Sequence, residues 1–467
     1  MRVARLAAVA AFGAVTLAAS GVTAAMATTA QTALPDLVHI APGVKHVGSA
    51  SSSPLTTVQC EAQYKIACYG PDQFERAYDL LPLYHDGTGG QGQTIAIVDS
   101  FGSPTIHADL AAFDKAYGLP DPKLTVIQPA GTVPPWDPNN SDMVGWGGET
   151  TLDVEWAHSI APRANLLLVE TPVSETEGTT GFPEIVTAEK YVIDNHLAAV
   201  ISQSFGASEE TFPDKQQLLD LRSAYTDAYR HNVTVLAASG DSGAADVDPG
   251  GTNLALTPAT SWPPSDPLVT AVGGTQLHLN GGGKRTAPDN VWNDTYDVNT
   301  NQYIFGGNGP NPLAGGGGLS QVFDRPGYQN GVAAVVGGHR GVPDISMSGA
   351  CDGAVNVYQS FPGQAAGWYP TCGTSEATPL FSGIVALTAQ VAGHPVGLLN
   401  PALYRLSAAH VPGLVDVTTG SNTVSFTQDG AQHTVTGWDA TQGYDLASGV
   451  GTVDAALLVP ELALLSR

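Results

Sequence analysis

The stretch Gln93–Phe101, QTIAIVDSF, decides the fold. It follows a glycine and sets Ile95, Ala96, Ile97 and Val98 in an unbroken apolar row before Asp99. A short β-branched run of this kind, bounded by turn residues, predicts a strand buried on both faces. Working outward, Ile106–Tyr117 has helical spacing and closes at Gly118, and Leu124–Gln128 is strand-like. Glu149–Ile160 reads as a helix stopped by Pro162, and Ala164–Glu170 as a second apolar strand. A helix over Phe182–Asn195 then leads to a strand over Ala198–Phe205. A long helix over Pro213–His231 leads to Val233–Ala238, and Leu268–Val272 adds another strand. Apolar strands alternating with helices predict an α/β fold: a doubly wound parallel sheet flanked by helices on both faces. Ligands bind such sheets at the carboxyl ends of the strands. The functional loops are therefore expected after Val98, Gln203 and Ala238.

Composition narrows the class. The chain has 467 residues, 43 acidic against 18 basic side chains, and a formal charge of −25. That balance argues against nucleic-acid binding, which needs cations to displace phosphate counterions. The apolar fraction of 43% is too high for a disordered chain, and 54 glycines without a three-residue period exclude collagen. Residues 1–27 combine Arg2 and Arg5, a short apolar run and a small-residue end at Ala25–Ala27. This is the pattern of a secretory signal peptide, and the run is too short to span a bilayer. Residues 28–68 form an Ala-, Thr-, Ser- and Pro-rich arm, and 69–467 the main domain. The Gly-rich stretch Gly306–Gly318 reads as a surface loop inside that domain. Four cysteines in an exported chain predict two disulfides. Three pairings are open; Cys60–Cys68 with Cys351–Cys372 closes the shortest loops.

Three motifs carry chemistry. In Cys372-Gly373-Thr374-Ser375, a serine follows a glycine turn and opens an apolar helix. The free N–H groups and partial positive charge of a helix N-terminus suit a nucleophile whose adduct becomes negative, although a plain capping serine has the same look. The hydroxyl needs a base. None of the 12 histidines follows the first strand in a His-Gly-Thr-like turn. Glu149 and Asp153 are four apart at an expected helix start and share one helical face, where close carboxyls can share a proton. Acids are also common in first helical turns for ordinary electrostatic reasons. Asp241, in SGDSG directly after a strand, lies on the ligand edge. Protonated, it can donate to an oxyanion; otherwise it is an ordinary turn aspartate.

Taken together, these motifs make the chain resemble the sedolisins, the serine-carboxyl peptidases, whose fold is subtilisin-like. The resemblance runs from about Tyr69 to Gly451. It includes IAIVDSFGSPTIHADLAAFDKAYGLP, SWPPSDPLVTAVGGT, GGGGLSQVFDRPGYQ and RGVPDIS. It implies a secreted, monomeric endopeptidase acting on proteins or peptides, with no nucleic-acid or membrane partner. Ser375 is then the nucleophile, Glu149 its base, Asp153 the residue that orients Glu149, and Asp241 the oxyanion donor. Ser204, Phe205 and Gly206 are the strand edge that pairs with extended substrate. An ionised Glu149 beside a neutral Asp241 implies an acidic optimum. The resemblance also implies one structural Ca2+, held by the Asp416 and Asp439 carboxylates and the carbonyls of Val417, Val435 and Gly437. Val435 stands where the family often has glycine. The arm is shorter than the prodomain the family usually carries. Two other schemes use the same fold: a subtilisin-type site with Asp99, a histidine and Ser375, or a binding module without catalysis.

Overall fold

The structure, a computed structural model, describes residues 45–47, 49–295 and 312–466. The expected signal peptide, the arm up to residue 44 and residues 306–311 of the Gly-rich loop lie outside the described residues. Eight strands form the main sheet. In chain order they are β1 (Thr94–Ser100), β2 (Leu124–Ile127), β3 (Asn165–Thr171), β4 (Val200–Gln203), β5 (Thr234–Ala238), β6 (Thr270–Gln276), β7 (Asn290–Val291) and β8 (Ile345–Ser348). Their spatial order is β7-β6-β5-β4-β1-β3-β2, with β8 also paired to β6. Every pairing is parallel except that of β7 with β6. β1 sits between β3 and β4, which places the end of QTIAIVDSF at the centre of the ligand edge.

Helices cover both faces. On one lie α1 (Ile106–Tyr117), α2 (Ser141–Ile160) and α5 (Thr374–Ala392); on the other lie α3 (Phe182–Asp194) and α4 (Ser223–His231). Side chains alternate across each strand. Ile95 and Ile97 of β1 join Leu152, Trp156, Leu380 and Ile384 in one core. Ala96 and Val98 join Phe182, Ile185 and Tyr225 in the other. α5 is buried from Thr374 through Ala389, as a helix apolar on all sides must be.

Two expectations need correction. The helix carrying Glu149 begins at Ser141, so Glu149 and Asp153 lie in its middle, not in a first turn. Asn140 caps it by accepting hydrogen bonds from the Asp142 and Met143 N–H groups. Gly147 inside it is a packing requirement: a Cβ there would lie 2.7 Å from the Trp136 ring. The long helix expected over 213–231 is two helices, Lys215–Asp220 and Ser223–His231.

A second, four-stranded sheet combines Lys45–His46, Gly367–Cys372, Ala354–Gln359 and Cys68–Tyr69. Its strand Gly367–Cys372 runs straight into the turn before Ser375. The disulfides are Cys60–Cys68 and Cys351–Cys372, the short-loop pairing. No helix among the described residues is long and apolar enough to cross a membrane.

Candidate active site

Strand Gly367–Cys372 ends at Gly373, whose φ of +135° is open to glycine and strained for other residues. That turn starts α5 and leaves Ser375 in its first turn, 8% exposed. Directly across lies α2, packed against α5. The Glu149 carboxyl points to Ser375, whose hydroxyl favours the charged form of the acid. Neither Glu149 oxygen has a closed hydrogen bond, so the pair faces without engaging. Such contacts are often loose before substrate binds.

Asp153, one turn along α2, is tied to the nucleophile's backbone through Ser204. The Ser204 hydroxyl donates to Asp153 Oδ1 at 2.9 Å and points toward the Ser375 carbonyl at 3.4 Å. Asp153 Oδ2 has no partner. Glu149, Asp153 and Asp99 are all 0% exposed. Burial, then the charges of Asp99 and Asp241, pushes the Glu149 carboxyl well above the usual range. Burial, then Asp99 and Glu149, does the same to Asp153. Among the described residues no basic side chain forms an ion pair with any of these acids.

Asp241 closes the other side of Ser375. Its Oδ1 accepts the Thr374 N–H at 2.7 Å and the Thr374 hydroxyl at 2.8 Å. With Oδ1 committed as an acceptor, a proton on Asp241 would sit on Oδ2. That atom lies on the Gly373 side, 2.7 Å from where a residue 373 Cβ would stand. Glycine 373 therefore serves two ends, the positive φ and the close approach of the acid.

The expected substrate edge is more occupied than the sequence implied. Ser204 is committed to Asp153, and Phe205 packs among Trp146 and Phe182. Gly206 lies against the Trp262 carbonyl, so the segment offers backbone rather than side chains. Of the expected site residues, Glu149, Asp153, Ser204, Asp241 and Ser375 come together. The expected calcium residues form a separate loop region. Asp416 Oδ2 accepts the Gly443 N–H at 2.9 Å, and Asp439 pairs by a β-bridge with Ser421. Their neighbours Val417 and Ala440 share one small apolar cluster, which holds the two loops together. Among the described residues no group of three or more His, Cys, Asp or Glu side chains is arranged to hold a metal ion. A site there would rest on two carboxylates and main-chain carbonyls, a donor set that suits a hard cation.

Comparison with known proteins settles the family. Residues 127–441 match the model of the subtilase family. The chain belongs to that family. Within it, this subtilase is similar to the sedolisins. It is 30% identical to kumamolisin of Bacillus sp. (strain MN-32), across 83% of this chain and 64% of that protein. It is 27% identical to sedolisin of Pseudomonas sp. (strain 101), across 84% of this chain and 60% of that protein. A solved structure of Pseudomonas sedolisin, complexed with two molecules of pseudo-iodotyrostatin, superposes with a TM-score of 0.70 at 25% identity. That match covers 86% of this subtilase and all of the other chain. The subtilase thus spans about 60–64% of the length of the two curated relatives.

Among the described residues the subtilisin-type scheme finds no base. Among the described residues no histidine is bonded to Ser375 or Asp99. His158, the histidine of α2, is fully buried against Asp114 at 3.2 Å. Sequence reasoning missed Thr374 as the holder of Asp241, although GTS displays it. It also missed Asp99 as a neighbour of Asp153, which only the sheet register reveals.

Proposed function

We propose that this subtilase is a secreted serine-carboxyl endopeptidase that cleaves protein or peptide substrates at acidic pH. The observation that carries this reading is the placement of Ser375 between two carboxyl groups, Glu149 on α2 and Asp241 after β5. Ser375 attacks the scissile carbonyl as Glu149 takes its proton. Asp153, held by Ser204, keeps Glu149 turned to the nucleophile. The developing oxyanion is met by the Ser375 N–H and by a proton on Asp241 Oδ2. Glu149 then returns its proton to the leaving amine. Extended substrate pairs with the backbone of Ser204–Gly206, which reads main chain more than side chain.

The acid group titrates as a unit, because like charges this close share protons. The first ionisation supplies the base and sets the acid limb of activity. Burial raises the Glu149 carboxyl above the usual range, and the need for a proton on Asp241 sets the alkaline limb. The calcium loop, with Asp416 and Asp439 and the carbonyls of Val417, Val435 and Gly437, is proposed to hold one structural ion. Export accords with the two disulfides and the signal-like start. The test is a quenched-peptide and casein assay from pH 2 to 8, comparing wild type with Ser375→Ala and Glu149→Gln. Both variants should lose activity at every pH; full activity in both refutes the reading.

A further inference from the structure

At the edge of the main sheet opposite the active site, two histidines meet. α3 ends at Asp194 and α4 at His231, and each helix then turns into a strand, β4 from Val200 and β5 from Thr234. β4 and β5 pair in parallel, with Val200 opposite Thr234. His196 and His231 therefore stand at matching places, four and three residues ahead of paired positions. The main chain fixes the turns that carry them. The Leu197 N–H donates to the Val192 carbonyl at 3.0 Å, and the Val233 N–H to the Ala228 carbonyl at 2.9 Å. Both side chains are exposed, and their ring centres lie 5.3 Å apart.

That spacing has a chemical meaning. An ion about 2.1 Å from one nitrogen of each of two imidazoles, at a tetrahedral angle, sets the ring centres about 5 Å apart. The pair already stands at this separation, so ring rotation alone can aim one nitrogen of each at a shared ion. The surroundings suit a cation. Both helices direct their carboxyl ends, the negative poles of their dipoles, toward these turns. Asp194, two residues before His196, adds an exposed carboxylate. The cationic side chains of the same two helices, Lys190 and Arg230, are both paired with Asp227. Imidazole nitrogen suits zinc, nickel and copper, whereas calcium takes oxygen ligands.

We propose that His196 and His231 form a binding site for one divalent transition ion of the zinc, nickel and copper class, with water completing its coordination. The bound ion clips the end of α3 to the end of α4. The site shares no residue with the proposed calcium loop and is independent of the catalytic reading.

Calorimetric titration of the full chain with zinc chloride, near neutral pH and with calcium present, tests it. His231→Ala and His196→Asn each remove one ligand; asparagine tolerates the left-handed backbone at residue 196, whose φ is +51°. Each variant should bind zinc roughly tenfold more weakly or worse, because one of two protein ligands is gone. Zinc should raise the melting temperature of wild type and leave that of the double variant in place. Melts without zinc verify that each variant is folded. Zinc taken up by other histidines is common to all these proteins and is subtracted as the double variant's signal. Zinc that binds the folded double variant as tightly as wild type, that fails to bind wild type, or that is displaced by calcium alone overturns the proposal.

Discussion

Asp99 and Asp344 are both fully buried acids on the main sheet, at its opposite edges. Asp344 precedes β8. It is held by Arg340 Nη2 at 2.5 Å, the Tyr404 hydroxyl at 2.9 Å and the Ala271 N–H at 2.8 Å. Asp99, one residue before the end of β1 at the carboxyl edge, closes no hydrogen bond at either oxygen, although the nearby Thr150 hydroxyl favours its charged form. Burial is common to both, so burial does not mark function. What differs is satisfaction. At the Asp344 edge a cation and two donors complete the acid and lock the sheet to Tyr404. At the Asp99 edge a row of acids stands without counter-charge, an arrangement that costs stability and is retained where chemistry needs it.

The sharpest way to break this contrast is Glu149→Gln. Removing the base should lower kcat/KM by about a thousandfold or more, as loss of a catalytic triad member does, while the melting temperature stays level or rises because a buried acid is gone. A fall in both would place Glu149 with the structural acids. Next is Arg340→Met, which strands Asp344. Stability should drop by about 3–5 kcal/mol in denaturant titration, with the shape of the pH–activity curve unchanged. A displaced curve would mean the two edges are coupled.

The third test is pH itself. Burial raises Asp99 to about 7, Asp246 to about 6 and Glu177 to about 8. A carboxyl raised in the folded state binds more protons there than when unfolded. Its stabilising contribution is complete below the unfolded value near 4 and disappears as pH climbs through the folded value. Melting temperature should therefore fall from pH 4 to 8; a flat or rising trend refutes the raised titration of these buried acids. The smallest effect is expected from calcium. Chelation should lower the melting temperature and added calcium should restore it, by about 2.7 kcal/mol at a hundredfold excess over Kd. Asp416→Asn should erase that response, and an unresponsive wild type removes the ion from the proposal.

Much of the fold was legible because buried parallel strands are written as apolar runs: QTIAIVDSF, ANLLLVE and VTVLAA each fall on a strand of the sheet. The helix bearing Glu149 was harder. Its true start lies behind Gly145, Gly147 and Gly148, which read locally as a breaker; the Trp136 ring explains Gly147. Strand β8 is four residues long and its signal is tertiary, the register against β6. At the site, residue types and strand-end positions pointed to Ser375, Glu149 and Asp241. The side-chain economy did not show: Ser204, expected at the substrate edge, also holds Asp153 through its hydroxyl. Asp99 was weighed only as a partner for histidine, because adjacency across strands is not encoded in linear spacing.

The fit of Gly373 against Asp241 has an evolutionary corollary. With 2.7 Å between the acid and any added methyl, neither position can drift alone. A lineage that exchanges the acid for a smaller group would be released from glycine, and one that acquires alanine would first have to surrender the acid. Paired substitution histories at these two sites, distant in sequence and touching in space, should record where this pairing was given up.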